Sequence, residues 1–266
     1  MLLDQLLANA ASAESIDIPL GWGQGRAVFG GLIGALMIAR AQALVGEDSK
    51  VLKSVSINFV GPVLGGEQAT LHAQVLRAGK SVTTVQVQLI QQDQVQSVLT
   101  ASFGTARESI IQINSPVPVV QLKPRDQLNP MPYLEGVVPE FLKHFDVYWS
   151  EGGLPFSASQ QPDFAGWMRL KPTEQVTSIQ LPHLFALVDM WPPSVLPLFN
   201  RPAPASSLSW QLDLVNLPAH IPGDAWWRYQ VKTEYAADGY AFAQAYIWDE
   251  QGQLVAISRQ TVTVFL

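Results

Sequence analysis

The 266-residue chain contains no cysteine. That excludes a disulfide framework, thiolate metal sites and a cysteine nucleophile. Charge is scarce as well. Asp, Glu, Lys and Arg make up 14% of the residues, against about 25% in ordinary globular domains. The 16 basic and 22 acidic residues leave a formal net charge of −6. Disorder, a coiled coil and a basic nucleic-acid binder are therefore excluded. An anionic ligand would have to be met by a local positive patch rather than by the field of the whole protein. Long hydrophobic runs are missing too. The longest uncharged apolar stretch lies between Arg26 and Arg40, short of the roughly 20 residues that cross a bilayer. The first residues, MLLDQLLANAASAESID, hold an early Asp4 and no basic run, so no secretory signal is expected and a cytoplasmic location is. The four histidines, His72, His144, His183 and His220, show no metal-ligand spacing, and no G-x-S-x-G elbow occurs.

What is present is strongly patterned. Residues 29–44, FGGLIGALMIARAQAL, read as a helix that is apolar nearly all round and hence buried. Residues 178–191, SIQLPHLFALVDMW, read as a second helix stopped by Pro192 and Pro193. A short N-terminal helix over 2–10 is expected. After each long helix come segments with period-two alternation and β-branched residues, separated by turn signals. They are VLKSVSINFV, ATLHAQVLRAG, SVTTVQVQLIQ and QVQSVLTASFGTA, then SLSWQLDLV, AWWRYQVKTEYAA, YAFAQAYIWDE and LVAISRQTVTVF.

The two halves echo each other. SVSINFV at 54–60 matches SLSWQLD at 207–213, and LIQQDQVQSVLTASF at 89–103 matches YIWDEQGQLVAISRQ at 246–260. This pairing sets Ser207 against Ser54 and Gln260 against Phe103, so a polar amide takes the place of an apolar residue. A repeat of this size indicates a duplicated domain, not a solenoid. The fold class is α+β, with two repeats that each wrap an antiparallel sheet around a central helix. The boundaries expected are 1–106, a Pro-rich linker at 107–140, and 141–266. Within the second unit, EFLKHFDVYW and FAGWMRLK read as opening strands.

Three features could carry chemistry. GWGQGRAVFGG at 21–31 precedes a helix, but no strand is expected before it, and its spacing fits neither a dinucleotide fingerprint nor a P-loop. What remains is a glycine pair, Gly30 and Gly31, at a helix N-terminus. Its free N–H groups can hold an oxygen, or its glycines can simply allow close packing. Asp189 stands at a helix C-terminus among apolar neighbours, the unfavourable end of the dipole. Such a carboxylate is either a functional group or a solvated helix end. Arg77 and Lys80 flank the turn Ala78-Gly79, where they could meet phosphates or merely be solvated. His183, after Pro182 on the same helix as Asp189, reads as structural.

The chain resembles the thioesterase II (TesB-like) acyl-CoA thioesterases, which are double hotdog proteins. The resemblance rests on GQGRAVFGG, SVSINFVGP, VLRAGKS, LVDMWPP and DGYAFAQAYIWDEQGQLVAISRQ, in that order. It implies an Asp, a Thr and a Gln that position a water, falling on Asp189, Ser207 (or Ser206 in the alternative register) and Gln260. Ser in place of Thr keeps the hydroxyl and loses the methyl that fixes its rotamer. It further implies an acyl-CoA substrate, a role in lipid metabolism, and a carbonyl polarised by the Gly31 N–H. CoA phosphates would fall near Arg77, Lys80 or Arg40. No metal or redox cofactor is implied, nor a nucleic-acid or membrane partner; a homodimer of double hotdogs is. The competing readings are a hotdog enoyl-CoA hydratase, which would need a histidine such as His183 beside Asp189, and a non-catalytic acyl-CoA binding protein.

Overall fold

The structure is a computed structural model that describes residues 2–46 and 50–265. The N-terminal helix α1 (Leu3–Ser12) turns Leu3, Leu6, Leu7 and Ala10 inward, the i, i+3, i+4, i+7 stripe of a surface helix. A short strand β1 (Ser15–Asp17) follows, then a small hairpin of β2 (Gly23–Gln24) and β3 (Ala27–Val28). The glycine-rich segment is thus preceded by a strand after all. The strand is antiparallel to its neighbour, so no βαβ crossover is formed and neither nucleotide motif is revived.

Helix α2 (Gly30–Val45) buries every residue from Gly31 to Ala39. It is followed by the meander β4 (Val51–Phe59), β5 (Gln68–Ala78), β6 (Val82–Gln91) and β7 (Gln94–Gly104). In the second half, Glu140–His144 forms a 3-10 turn where a strand was expected. Only then do β8 (Phe145–Glu151) and β9 (Phe164–Leu170) begin. Helix α3 (Leu181–Asp189) is shorter than the apolar pattern suggested. Pro182 belongs in a first turn, and the chain enters the helix there. The strands β10 (Ala205–Leu214), β11 (Trp227–Ala237), β12 (Tyr240–Asp249) and β13 (Leu254–Val264) complete the second meander.

All but β2 and β3 join one antiparallel sheet, in the order β1-β5-β6-β7-β4-β10-β13-β12-β11-β9-β8. The halves meet edge to edge at β4 and β10, from Ser209 opposite Asn58 to Asp213 opposite Ser54. Across this seam the Ser54 hydroxyl donates to Asp213 at 2.6 Å. Each meander curls round its own helix, and this is the hotdog fold in duplicate. Gly34 lets α2 approach the seam and α3. A Cβ there would stand 3.0 Å from the Trp210 ring and 3.2 Å from Phe185.

Residues 105–139 hold no strand. They run over the outer face of the second half-sheet, as their proline content suggested. Trp167 donates to Lys123 O at 3.0 Å, and Arg125 lies over Trp167 and Trp226. No helix among the described residues is long and apolar enough to cross a membrane.

The ladder corrects the register of the repeat. Trp210 opposite Gln260 is the counterpart of Val55 opposite Ala101, and Ser207 opposite Val262 is the counterpart of Leu52 opposite Phe103. Gln260 therefore replaces Ala101, not Phe103, and Ser54 corresponds to Ser209. The misreading is by two residues in each of β10 and β13. The β6–β7 connection, with Gln92 and Asp93 at positive φ, and the longer β12–β13 connection, with Gly252 at φ 87°, differ in length, so a gapless match fails there. A slip of two leaves every side chain on its original face.

Candidate active site

Asp189 is the last residue of α3, and it faces the first turn of α2. That turn has no side-chain cap and no acidic residue of its own. A carboxylate at the negative end of its own helix is thus compensated by the positive end of its neighbour. The two helix ends come from different repeats, so neither repeat alone builds the site. Close approach is possible because Gly30 and Gly31 lack a Cβ. A methyl on Gly30 would stand 2.9 Å from Asp189 Oδ2 and 3.2 Å from Phe59 Cζ.

Gln260 Nε2 donates to Asp189 Oδ1 from β13. The Gly31 backbone N–H points toward the same carboxylate without closing to ordinary hydrogen-bond geometry, and its field favours the ionised form. Protein surrounds Asp189 on nearly all sides, although part of its surface still reaches solvent. Burial dominates these effects. It raises the carboxyl from 3.8 to about 7, against the opposing pull of Gln260 and Gly31. Removing the amide donor removes part of that pull. In Gln260→Ala, the pH at which Asp189 loses its proton will rise above the wild-type value, which a pH–rate profile or carboxylate titration by NMR will read.

Ser207 stands on the face that carries Gln260 and Trp210. A bulge between Ser207 and Ser209 brings it there, opposite Val262 and one ladder step from Gln260. Its hydroxyl makes no hydrogen bond to Asp189 or Gln260. Ser206 is exposed, and its carbonyl accepts from Thr263 Oγ1 at 3.2 Å. The ladder thus sets Ser207, rather than Ser206, on the face of Gln260.

The remaining sequence candidates are placed elsewhere. Arg77 and Lys80 are exposed at the β5–β6 turn. β5 is five strands from β13 in the sheet order, roughly 24 Å at about 4.8 Å per strand. The structure does not bring them to Asp189. Arg40 is spent on α1, where it donates to Ala11 O at 3.2 Å. His183 lies at the opposite end of α3. Its Nδ1 accepts from the Gln180 N–H at 3.0 Å, so Nε2 carries the proton toward Asp4 Oδ1 at 2.7 Å. Burial lowers its pKa, and its two nitrogens are engaged, Nδ1 in capping α3 and Nε2 in tying it to α1.

Several residues around the site had no signal in the sequence. Trp22 stacks on His144 at 3.9 Å, and Phe29 stacks on Phe141 at 4.0 Å. His144 bridges Glu174 Oε1 at 2.7 Å and Gly21 O at 2.9 Å. These contacts, from the second repeat onto the loop before α2, fix the entry of that helix. Trp191 and Tyr229 stack at 4.9 Å beside Asp189. One surface cleft, of about 400 Å³, lies away from this centre and is lined by Lys53 and residues 105–109. Another, of about 240 Å³, lies among Ser209, Gln211 and Arg259, and its lining includes Trp210 and Gln260.

Comparisons with known proteins agree with this architecture. The family model for the acyl-CoA thioesterase N-terminal domain matches residues 18–104, and that for the acyl-CoA thioesterase C-terminal domain matches residues 125–264. No curated protein matches the sequence. Among solved structures, the chain superposes on a hot dog fold protein of unknown function from Alicyclobacillus acidocaldarius with a TM-score of 0.82. The identity is 20%, and 97% of each chain is covered. It is also similar to the acyl-CoA thioesterase II TesB2 of Mycobacterium marinum (TM-score 0.69, 17% identity, 88% of each chain). A tesB protein of Mycobacterium avium subs paratuberculosis gives a TM-score of 0.73 at 13% identity, over 98% of this chain and 99% of that one.

Proposed function

Because the chain belongs to the acyl-CoA thioesterase family, we propose that it hydrolyses an acyl-CoA thioester with a water activated by Asp189 and held by Gln260 and Ser207. The observation that carries this reading is the part-buried Asp189–Gln260 pair at the meeting of two helix ends, with the carboxyl raised to about 7. A base of that pKa takes a proton from water well and still returns it at neutral pH.

The step proceeds as follows. Asp189 accepts a proton as the water oxygen bonds to the thioester carbon. The carbonyl electron pair moves onto oxygen. When the tetrahedral intermediate collapses, the carbon–sulfur bond breaks and the thiolate takes the proton from Asp189. One water and one acyl-CoA become one free acid and one CoA thiol. Gln260 and Ser207 contribute by fixing the line of attack, which removes orientational entropy from the barrier.

An enoyl-CoA hydratase would need a histidine beside the carboxylate, and His183 is turned away and engaged. The test is thiol release from short, medium, long and aromatic acyl-CoAs. Turnover on at least one is expected, with a rate that rises with pH and levels off above about 7 as Asp189 ionises. A folded protein that releases no thiol from any of them overturns the hydrolase reading. Binding of those same compounds by calorimetry would then support the non-catalytic acyl-CoA binder.

A further inference from the structure

A hydrolase of this kind needs a donor for the oxygen that becomes negative in the tetrahedral intermediate. The Gly31 N–H, the amide expected from the sequence to do this, is aimed at Asp189. Another donor stands close by. Tyr229 lies on β11, whose burial alternates so that Trp227, Tyr229 and Val231 face inward. Its ring stacks on Trp191 at 4.9 Å and an interplanar angle of 10°. Trp191 follows Asp189 by two residues, so this stack sets the phenol beside the end of α3.

The residue is only 7% exposed, yet its hydroxyl makes no hydrogen bond among the described residues. That hydroxyl is not one of the fully enclosed polar atoms left without a partner, so it keeps an accessible face through which it can donate to a bound group. Tyr229 and Asp189 interact through charge without a hydrogen bond between them. The repeat adds an independent argument. Tyr229 opposite Ile247 is the counterpart of Leu71 opposite Leu89 in the first half. Leu71 is fully buried. At this position, as at Gln260, the second repeat places a polar end where the first has an apolar side chain.

We infer that the Tyr229 hydroxyl is the donor that meets the substrate's carbonyl oxygen as it becomes an oxyanion, beside the Asp189 base. The inference rests on the hydrolase reading above. The phenol donates a hydrogen bond and keeps its proton throughout, since burial and the neighbouring carboxylate both raise its pKa. It thus stays a donor across the working pH range.

Tyr229→Phe is the discriminating variant, because it retains the ring and its stack on Trp191 and removes one oxygen. In the full chain, kcat for thiol release is expected to fall about 100-fold, with KM within about twofold of wild type. The acidic limb of the pH profile stays in place, because no hydrogen bond ties Tyr229 to Asp189. The melting temperature stays close to that of the wild type, since the ring and its stack on Trp191 remain and no protein hydrogen bond is lost. A kcat within about twofold of wild type overturns the inference. So does a fall in kcat accompanied by a lower melting temperature, which marks a structural role, or by a moved pH limb, which marks action through Asp189. If the wild type itself releases no thiol, the hydrolase reading falls first and the oxyanion role with it. Wild-type turnover with an unaffected Tyr229→Phe removes this inference alone.

Discussion

Asp189→Asn is expected to slow thiol release by about 10³-fold, in the middle of the range for loss of a general base, while the protein gains stability at alkaline pH. Asn keeps the size of the side chain and can still bond Gln260 if its amide is oriented suitably. It cannot take a proton from water. The stability effect follows from linkage. In the unfolded chain the carboxyl ionises near its ordinary value of 3.8, and in the fold it holds its proton up to about 7. Between those values the folded state binds more protons, so stability falls as pH rises through the window and stays at the lower level above it. The proton-linked contribution is fully present below pH 3.8 and gone above about 7. Asn carries no such proton, so the variant lacks this particular decline. Urea unfolding of both proteins at pH 5 and pH 8 measures the difference. A variant that retains wild-type turnover would remove Asp189 from the mechanism.

Gly31→Ala is expected to reduce both stability and activity, against the ordinary rule for helices. In an open helix interior the change gains up to about 1 kcal/mol. Here the added methyl would stand 2.6 Å from Phe29 Cε1 and 3.0 Å from Asp189 Cβ. The Phe29 ring has little freedom to swing away, because it is fully buried and stacked on Phe141. Overpacking of this kind costs about 1–3 kcal/mol. Relief by displacement of α3 would move Asp189, and a small misplacement of a reacting group costs rate steeply. The expected result is a lower denaturation midpoint together with a kcat reduced at least about tenfold. A variant at least as stable as wild type would show that the helix ends are not packed as tightly as the structure has them.

Much of this architecture was legible beforehand because its causes are local. The all-round apolar residues of α2 required burial on every side, and the alternation of β6 or β13 allowed only strands. Where α3 begins was read three residues too early, although Pro182 in its first turn marks the start. Even the misread register kept Gln260 on the correct face, since an error of two residues is invisible to a period of two. The 3-10 turn at Glu140–His144 escaped because its apolar spacing is compatible with a strand, and only its packing on β2 and β8 decides between them.

The site was legible in part. Asp189 stood out because a carboxylate among apolar residues at a helix C-terminus is locally unfavourable, and Gln260 because it breaks the apolar pattern of its sister strand. Arg77 and Lys80 looked eligible for phosphate contact, but exposure of a charge says nothing of where it lies, and the sheet sets them five strands away. The sequence by itself determined the duplicated helix-and-meander units, their inward faces and the two polar residues that violate those faces, since periodicity and side-chain chemistry act over a few residues. Only the tertiary structure decided that the C-terminus of one helix meets the N-terminus of the other. It also aimed Gly31 at Asp189 and left the Tyr229 hydroxyl without a partner beside them. Such contacts span 158 residues from Gly31 to Asp189 and 40 from there to Tyr229. They arise from the pairing of β4 with β10 and the curl of the sheet, which bring distant residues together irrespective of their neighbours in the chain.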